Sequence, residues 1–514
     1  MKREMMGKLG IVMVMMIMLT ALVPSSYSES KVLIIAMGTD ITTLDPHNIP
    51  DNPSEMVCRN IYEGLVEFDE KLNIKPALAE SWEISEGGKV YIFHLRKGVK
   101  FHDGAVFNAE AVKANIDRLF KNKTLAGRSR LVPFIEKVEV VDEYTVKFVL
   151  KHPVPTFLNL LAHPVGLMVS PKALKEGVNL KRNPVGTGPY KLGKWVPGDR
   201  VELVANEEWW GGKPGLDGIV FKVVPEDEAR VQMVVAGDAH VALRVPPIDI
   251  ERLKMEPDVV VEPVNTIRIL YLGVNTRHPI LKDKRVRQAI SLAIDREIIV
   301  EKILRGAGRA AKSVIAEEVL GFYDTGKIGY NPERAKELLK EAGYPEGFEI
   351  VMWTPKGRYL GDYEIAQAVQ QYLVEIGIKA ELRTMEWASY VSFLFTPPEK
   401  ADPKERGLFI IGWAPSTGEF IGVFRPLFLS TNIPKFNIWY YNNSEVDELI
   451  TKAEKAAPEE IVKYTSKIQE ILLDELPAIP LVNVGDVIAY RKNVEGLIYL
   501  GTEILLTKYA SLKG

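Results

Sequence analysis

The chain has 514 residues, with 65 Lys+Arg against 68 Asp+Glu, a net charge of −3, and 46% hydrophobic residues. That balance argues against a nucleic-acid partner or a polybasic membrane surface, and a single cysteine, Cys58, leaves no intrachain disulfide to form. The length exceeds what one growing hydrophobic core supports, so at least two domains are expected.

Residues 1–28 read as an export signal. Lys2, Arg3 and Lys8 precede an apolar run from Leu9 to Val23, Pro24 breaks it, and Ser26-Tyr27-Ser28 lies before a cleavage point ahead of Glu29. The run is shorter than a membrane span and is interrupted by Gly10 and Thr20. Cys58 lies well past the cleavage point, so a free periplasmic protein is expected rather than a lipoprotein, with Cys58 a small buried apolar residue. From Lys31 to about Leu270 the chain reads as mostly strands with a few helices. Lys31–Ala36 is β-rich, a turn-rich loop from Thr39 to Pro46 follows, and Val90–Leu95 is strand-like. Asn108 can cap a helix with Val112, Ile116 and Leu119 on one face. Val138–Leu150 reads as a hairpin that turns at Asp142-Glu143.

The middle of the chain changes character. Asp283 can cap a helix with Val286, Ala289, Ile290, Ala293 and Ile294 on one face. Asn331-Pro332 starts a second helix with a stripe of Ala335, Leu338, Leu339 and Ala342, and Gly343 ends it. Phe348–Trp353, a helix opening at Asp362 and closing at Gly377, and Ile378–Leu382 form a β-α-β unit, which implies parallel strands. The region from about 276 to 487 is thus an α/β lobe. Leu497–Leu506 is expected to be a last strand returning to the first lobe. No internal repeat or low-complexity linker is present, so crossings between domains should be short strands.

Enzyme motifs nearly occur and then fail. Gly188 to Lys194 has phosphate-loop spacing, but Trp195 stands where a Ser or Thr must hold magnesium. Gly306 to Ala311 imitates a dinucleotide loop but follows a helix rather than a strand. His94 and His102 could make a metal pair, yet no third ligand has suitable spacing, which favours structural roles in a strand and turn. Trp209-Trp210 reads as a packed turn rather than a stacking platform. No catalytic residue, metal or cofactor is expected. Two segments look more like sites. Pro355 to Tyr359 falls after the carboxyl end of a strand and before a helix, where ligands bind in open α/β sheets. Free amides there would favour an anion, and Arg358 is either a carboxylate-gripping fork or a solvated loop residue. Gly412 to Phe420 follows the apolar strand Leu408–Ile411. Its Trp413, like Trp387, is either core filler or a pocket wall.

The stretch from Pro76 to Val112, PALAESWEISEGGKVYIFHLRKGVKFHDGAVFNAEAV, resembles the segment that marks family 5 extracellular solute-binding proteins. These are the peptide, glutathione, nickel-chelate and oligosaccharide receptors of ABC importers. Thr43 to His47, Asn60 to Leu65, Pro184 to Tyr190, Leu272 to Thr276 and Arg285 to Ala289 extend the resemblance. The segments Gly357 to Trp387 and Gly412 to Glu419 are most similar to the glutathione- and dipeptide-receptor branch.

The resemblance implies a periplasmic-binding-protein-like α/β fold of two lobes joined by a two-strand hinge. Residues 29–62, 185–272 and 488–514 would form the first lobe, 63–184 an accessory subdomain on it, and 273–487 the second lobe. It implies ligand contacts from Asp51 and Asn52, pocket walls from Trp387 and Trp413, and a carboxylate contact from Arg358. The amine-binding Asp of ordinary peptide receptors is replaced here by Ser416, with Glu419 near it in sequence. A hydroxyl cannot pair with a buried ammonium as a carboxylate does. A glutathione-like or modified peptide, or an oligosaccharide, therefore stays open as ligand. The function implied is that of a monomeric receptor which closes on a small polar solute and delivers it to an ABC permease, with no nucleic-acid partner. The competing classes are a secreted hydrolase and a folding helper for exported proteins.

Overall fold

Runs rich in Val, Ile and Leu build one 11-stranded sheet that organises the chain. The computed structural model describes residues 30–49, 51–385, 387–396, 400, 402–433 and 436–513. The leader expected at 1–28, and Glu386, lie outside the described residues. One half of the sheet runs in the order Tyr190–Val196, Arg200–Ala205, Gly218–Val223, Val32–Met37, Val241–Ala242. The other half runs Leu408–Trp413, Phe348–Thr354, Ile378–Thr384. Between them lie two long antiparallel strands, Val259–Val274 and Ala478–Arg491.

The long strands serve both halves. Ala489 and Tyr490 pair with Ala242 and Val241 on one side, while Ile269 to Val274 pair with Leu408 to Trp413 on the other. Midway, the register shifts between Val264 and Arg268, where Asn265 to Ile267 have no ladder partner. Glu262, Pro263 and Asn265 are exposed just before the shift, and Pro263 has no N–H to donate. Side chains patch the gap. Thr266 Oγ1 donates to the Val484 carbonyl at 2.6 Å, and Asn483 Nδ2 donates to the carbonyls of Thr266 and Arg268 at 2.7 and 2.9 Å. The sheet is therefore continuous, but its backbone ladder is weakest where the two halves meet.

A separate four-stranded sheet, ordered Ala79–Ser85, Val90–Leu95, Thr145–Leu150, Ile135–Asp142, contains the expected hairpin. The helix Ala109–Lys121 is capped by Asn108, which accepts from the Ala111 amide at 3.0 Å. Its Val112, Ile116 and Leu119 join Phe93 and Phe148 in the core. Asp283 and Asn331 cap the helices Lys284–Leu292 and Pro332–Glu341 as their sequences indicate. Phe348–Thr354 and Ile378–Thr384 pair in parallel across the helix Asp362–Glu375. Leu33, Ile35, Leu203 and Phe221 fill one core, and Leu272, Ile290, Met352, Ile365 and Ile410 belong to another.

One expectation changes. Leu497–Leu506 is not a single strand but a small hairpin, Ile498–Leu500 against Ile504–Leu506, outside the large sheet. Gly501-Thr502-Glu503 makes its turn, with Glu503 at φ 68°. Among the described residues no helix is long and apolar enough to cross a membrane.

Candidate solute-binding cleft

Strands end, loops begin and both halves of the sheet meet around one cavity of about 540 Å³. Its walls include Met37 to Thr39 at the end of the strand Val32–Met37, and Asn52 at the start of the helix Asn52–Ile61. Arg244 after Val241–Ala242, Arg268 at the register shift, and Asp486 on the second long strand also face it. Lys356 to Glu364 reach it from the other half, and Tyr499 and Glu503 from the terminal hairpin. This is the carboxyl end of the parallel strands, where open α/β sheets bind ligands.

The loop before the helix Asp362–Glu375 is built by one carboxylate. Asp362 accepts from the amides of Gly357 at 3.0 Å, Arg358 at 2.8 Å, Tyr359 at 2.9 Å and Tyr363 at 2.8 Å. The expectation that these amides are free for a bound anion is thus corrected, because the protein fills them with its own. Burial pushes the Asp362 carboxyl up, against the pull of those bonds. Gly361, in the left-handed region at φ 66°, allows the chain to turn into the helix. Tyr359 then reaches across to donate to the Gly412 carbonyl at 3.2 Å, lying so close that a Cβ on Gly412 would sit 2.8 Å from its ring.

Arg358 lies over the rings of Tyr359 and Trp387, 5.0 Å from each centroid. Among the described residues its guanidinium has no ion-pair or hydrogen-bond partner. Burial, then repulsion from Arg268 and Arg244, disfavours its charged form. Arg268 instead has a partner, donating from Nε to Glu503 Oε1 at 2.5 Å. Burial would raise the Glu503 carboxyl, but Arg268, Arg244 and Arg358 overcome it and hold the group low. Asp486 accepts from the Tyr499 hydroxyl at 2.7 Å and is pushed up by burial against the attraction of Arg244.

The residues proposed from sequence fall into two groups. Asn52 and Arg358 line the cavity, Asn52 donating to Glu503 Oε2 at 3.2 Å. Trp387 lies behind Arg358 and packs edge-on to Tyr359, with ring centroids 5.9 Å apart. Asp51 is turned to capping, accepting from the Ser54 amide at 2.8 Å and the Thr42 hydroxyl at 2.5 Å. Trp413 donates to the Gly422 carbonyl at 2.8 Å and packs edge-on to Phe436. Ser416 accepts from Arg130 at 3.2 Å. Glu419 accepts from Thr417 Oγ1 at 2.7 Å and from the amides of Ile421 and Gly422 at 2.6 and 3.2 Å. Burial pushes the Glu419 carboxyl up to about 7.

Other sequence readings resolve simply. His94 meets Glu83, His102 meets the Gly188 carbonyl, and among the described residues no cluster could hold a metal. Trp209 and Trp210 both donate to the buried Glu63 as a packed turn. Tyr190 to Val196 is a strand, so no phosphate loop forms there, and Cys58 is buried. Arg244, Arg268, Asp486, Tyr499 and Glu503 were not expected at the cleft. They come from two stretches more than 200 residues apart, Arg244 to Arg268 and Asp486 to Glu503, and belong to no motif.

The model of the bacterial extracellular solute-binding proteins, family 5 middle region, matches residues 73–435. The glutathione-binding protein GsiB of Escherichia coli O1:K1 is 35% identical over 484 residues, covering 93% of this chain and 94% of that protein. The GsiB of Salmonella choleraesuis is 36% identical over 474 residues, covering 91% and 92%. Among solved structures, HbpA2 from Haemophilus parasuis superposes with a TM-score of 0.81 at 28% identity, covering 94% of this chain and all of that one. The Helicobacter pylori periplasmic binding protein DppA, in complex with the peptide STSA, gives 0.76 at 27% identity, covering 94% and 98%.

Proposed function

The chain belongs to the bacterial extracellular solute-binding proteins of family 5, and from that membership we propose that it captures a peptide or glutathione-like solute and hands it to an ABC permease. The observation that carries the ligand class is Arg358, a guanidinium that among the described residues has no ion-pair or hydrogen-bond partner, held over two aromatic rings at the wall of a cavity of about 540 Å³. Such a group favours a carboxylate. Asn52 lines the cavity from the opposite half while its amide nitrogen holds Glu503, and the Trp387 ring lies 5.0 Å from the guanidinium. Trp413, Ser416 and Glu419 are not among the residues that line this cavity, and each is hydrogen-bonded within the protein, so the ligand's amine is not assigned to them.

In this reading residues 29–62, 185–272 and 488–514 form one lobe, 63–184 its accessory subdomain and 273–487 the other lobe. The register shift at Val264–Arg268 supports a hinge there. Ligand that touches both lobes favours the closed state, which the permease recognises. The leader directs the chain to the periplasm, where it acts as a free monomer that performs no reaction.

Calorimetric titration with glutathione and with a dipeptide panel tests the ligand class, and mass spectrometry should recover the ligand unchanged. Small-angle scattering should show a smaller radius of gyration at saturating ligand. Unchanged scattering would count against hinge closure, and binding of neutral sugars instead of peptides would overturn the ligand class.

A further inference from the structure

Three guanidiniums face the centre of the cleft, Arg244, Arg268 and Arg358, against two carboxylates, Asp486 and Glu503. Other charged groups on its wall are already matched or turned outward. Asp227 pairs with Arg230, Asp362 is filled by backbone amides, and Lys356 and Glu364 are exposed. Glu503 is engaged by Arg268 and by Asn52. Asp486 is engaged by the Tyr499 hydroxyl and by the Val487 amide at 2.9 Å. Three guanidiniums against two carboxylates leave one positive charge over, and of the three only Arg268 donates a hydrogen bond to a carboxylate among the described residues.

Arg244 is held only loosely by the two carboxylates. Its Nε stands 3.9 Å from Asp486 and its Nη2 3.7 Å from Glu503, both beyond hydrogen-bond length. Its guanidinium donates no hydrogen bond to any described residue, and its side chain is 51% exposed. Its backbone lies at φ 56°, a region that non-glycine residues rarely occupy and that persists where the surroundings impose it. Buried Arg230 helps to hold that turn by donating to the Arg244 carbonyl at 3.3 Å. Arg244 follows a strand of one half of the sheet, and Arg358 follows a strand of the other.

We propose that the cleft is selective for a solute with two carboxylates, one held by Arg358 and the other by Arg244, so that the ligand bridges the two halves of the sheet through its own two charges. The inference rests on the receptor reading above and names its ligand more narrowly. Arg244 swings from its loose position beside Asp486 and Glu503 onto the ligand, and Arg268 stays with Glu503. A solute with one carboxylate leaves one guanidinium in a narrowing, partly dehydrated cleft without a hydrogen-bonded counter-charge.

The test is calorimetric titration of the full mature chain with three probes: glutathione, which has two carboxylates, its glycine amide, which has one, and the dipeptide Met-Leu, which also has one. Arg244→Asn removes the cation, and Asn tolerates the left-handed backbone. Glutathione should bind the wild-type chain at least about tenfold more tightly than either other probe. Arg244→Asn should weaken glutathione by about tenfold or more while the melting temperature without ligand stays at the wild-type value. In just one of the two variants, Arg244→Asn or Arg358→Gln, acid and amide should become equal, and that variant identifies the arginine that holds the glycine carboxylate. Equal wild-type affinity for glutathione and its amide, tighter binding of Met-Leu, or full affinity in Arg244→Asn would overturn the proposal and leave the receptor reading standing. Binding of none of the probes would sink both.

Discussion

Asp362→Asn isolates the device that presents Arg358 and Tyr359 to the cleft. One carboxylate oxygen of Asp362 accepts from Gly357 and Tyr363, and the other from Arg358 and Tyr359. Asparagine has the same shape but only one oxygen, so its NH2 must face two N–H donors. Bonds to a charged acceptor contribute about 1.5–3 kcal/mol each, and two are lost. Burial of the charge, which pushes the Asp362 carboxyl up, is relieved at the same time and offsets part of that loss. The net expectation is a destabilisation of about 2–3 kcal/mol. Urea unfolding measures it, because a chain this long moves its melting temperature by less than the ~2–4 °C per kcal/mol of smaller proteins. Ligand affinity should fall roughly tenfold as the loop loosens, since misplacing a contact group weakens every bond it makes. Wild-type stability together with wild-type affinity in Asp362→Asn would refute the view that this carboxylate organises the loop.

Arg358→Ala should cost about 2–5 kcal/mol of affinity for a carboxylate-bearing ligand, with Arg358→Lys restoring only part because a point charge cannot make the two-pronged contact. Stability without ligand should hardly change in either variant, since among the described residues Arg358 has no ion pair or hydrogen bond to lose; calorimetry and thermal unfolding read the two effects separately. Gly412→Ala places a methyl 2.8 Å from the Tyr359 ring and should destabilise by about 1–3 kcal/mol while weakening binding, measured by urea unfolding and titration. Glu419 has its carboxyl pushed up to about 7 by burial from an ordinary 4.5. The fold therefore favours the protonated form, and the stability this contributes is full below about pH 4.5 and is lost as pH rises towards about 7. Glu419→Gln should flatten the fall of melting temperature between those pH values, and an unchanged slope would show that the carboxyl is not buried in this way.

Much of the fold was legible because its signals are local. Asn108, Asp283 and Asn331 cap the helices they precede, since a short polar side chain can reach the next amides without help from elsewhere. The β-α-β unit from Phe348 to Thr384 could be read from its periodicity, because a helix and its flanking strands each bury one face. Leu497–Leu506 misled because an apolar run carries no direction. Only the turn at Glu503 shows that it folds back on itself.

The cleft was legible only in part. A loop at the end of a strand pointed to Arg358, yet the amides beside it proved to be filled by Asp362, a contact the spacing alone does not reveal. Arg244, Arg268, Asp486 and Glu503 are separated by up to hundreds of residues and acquire their meaning from the two long strands that bring them together. Local sequence determined the caps, the periodic helices and strands, and the family that these segments resemble. The tertiary structure alone decided which guanidiniums find a carboxylate and which do not, because charge pairing depends on distance across the sheet and not on separation along the chain.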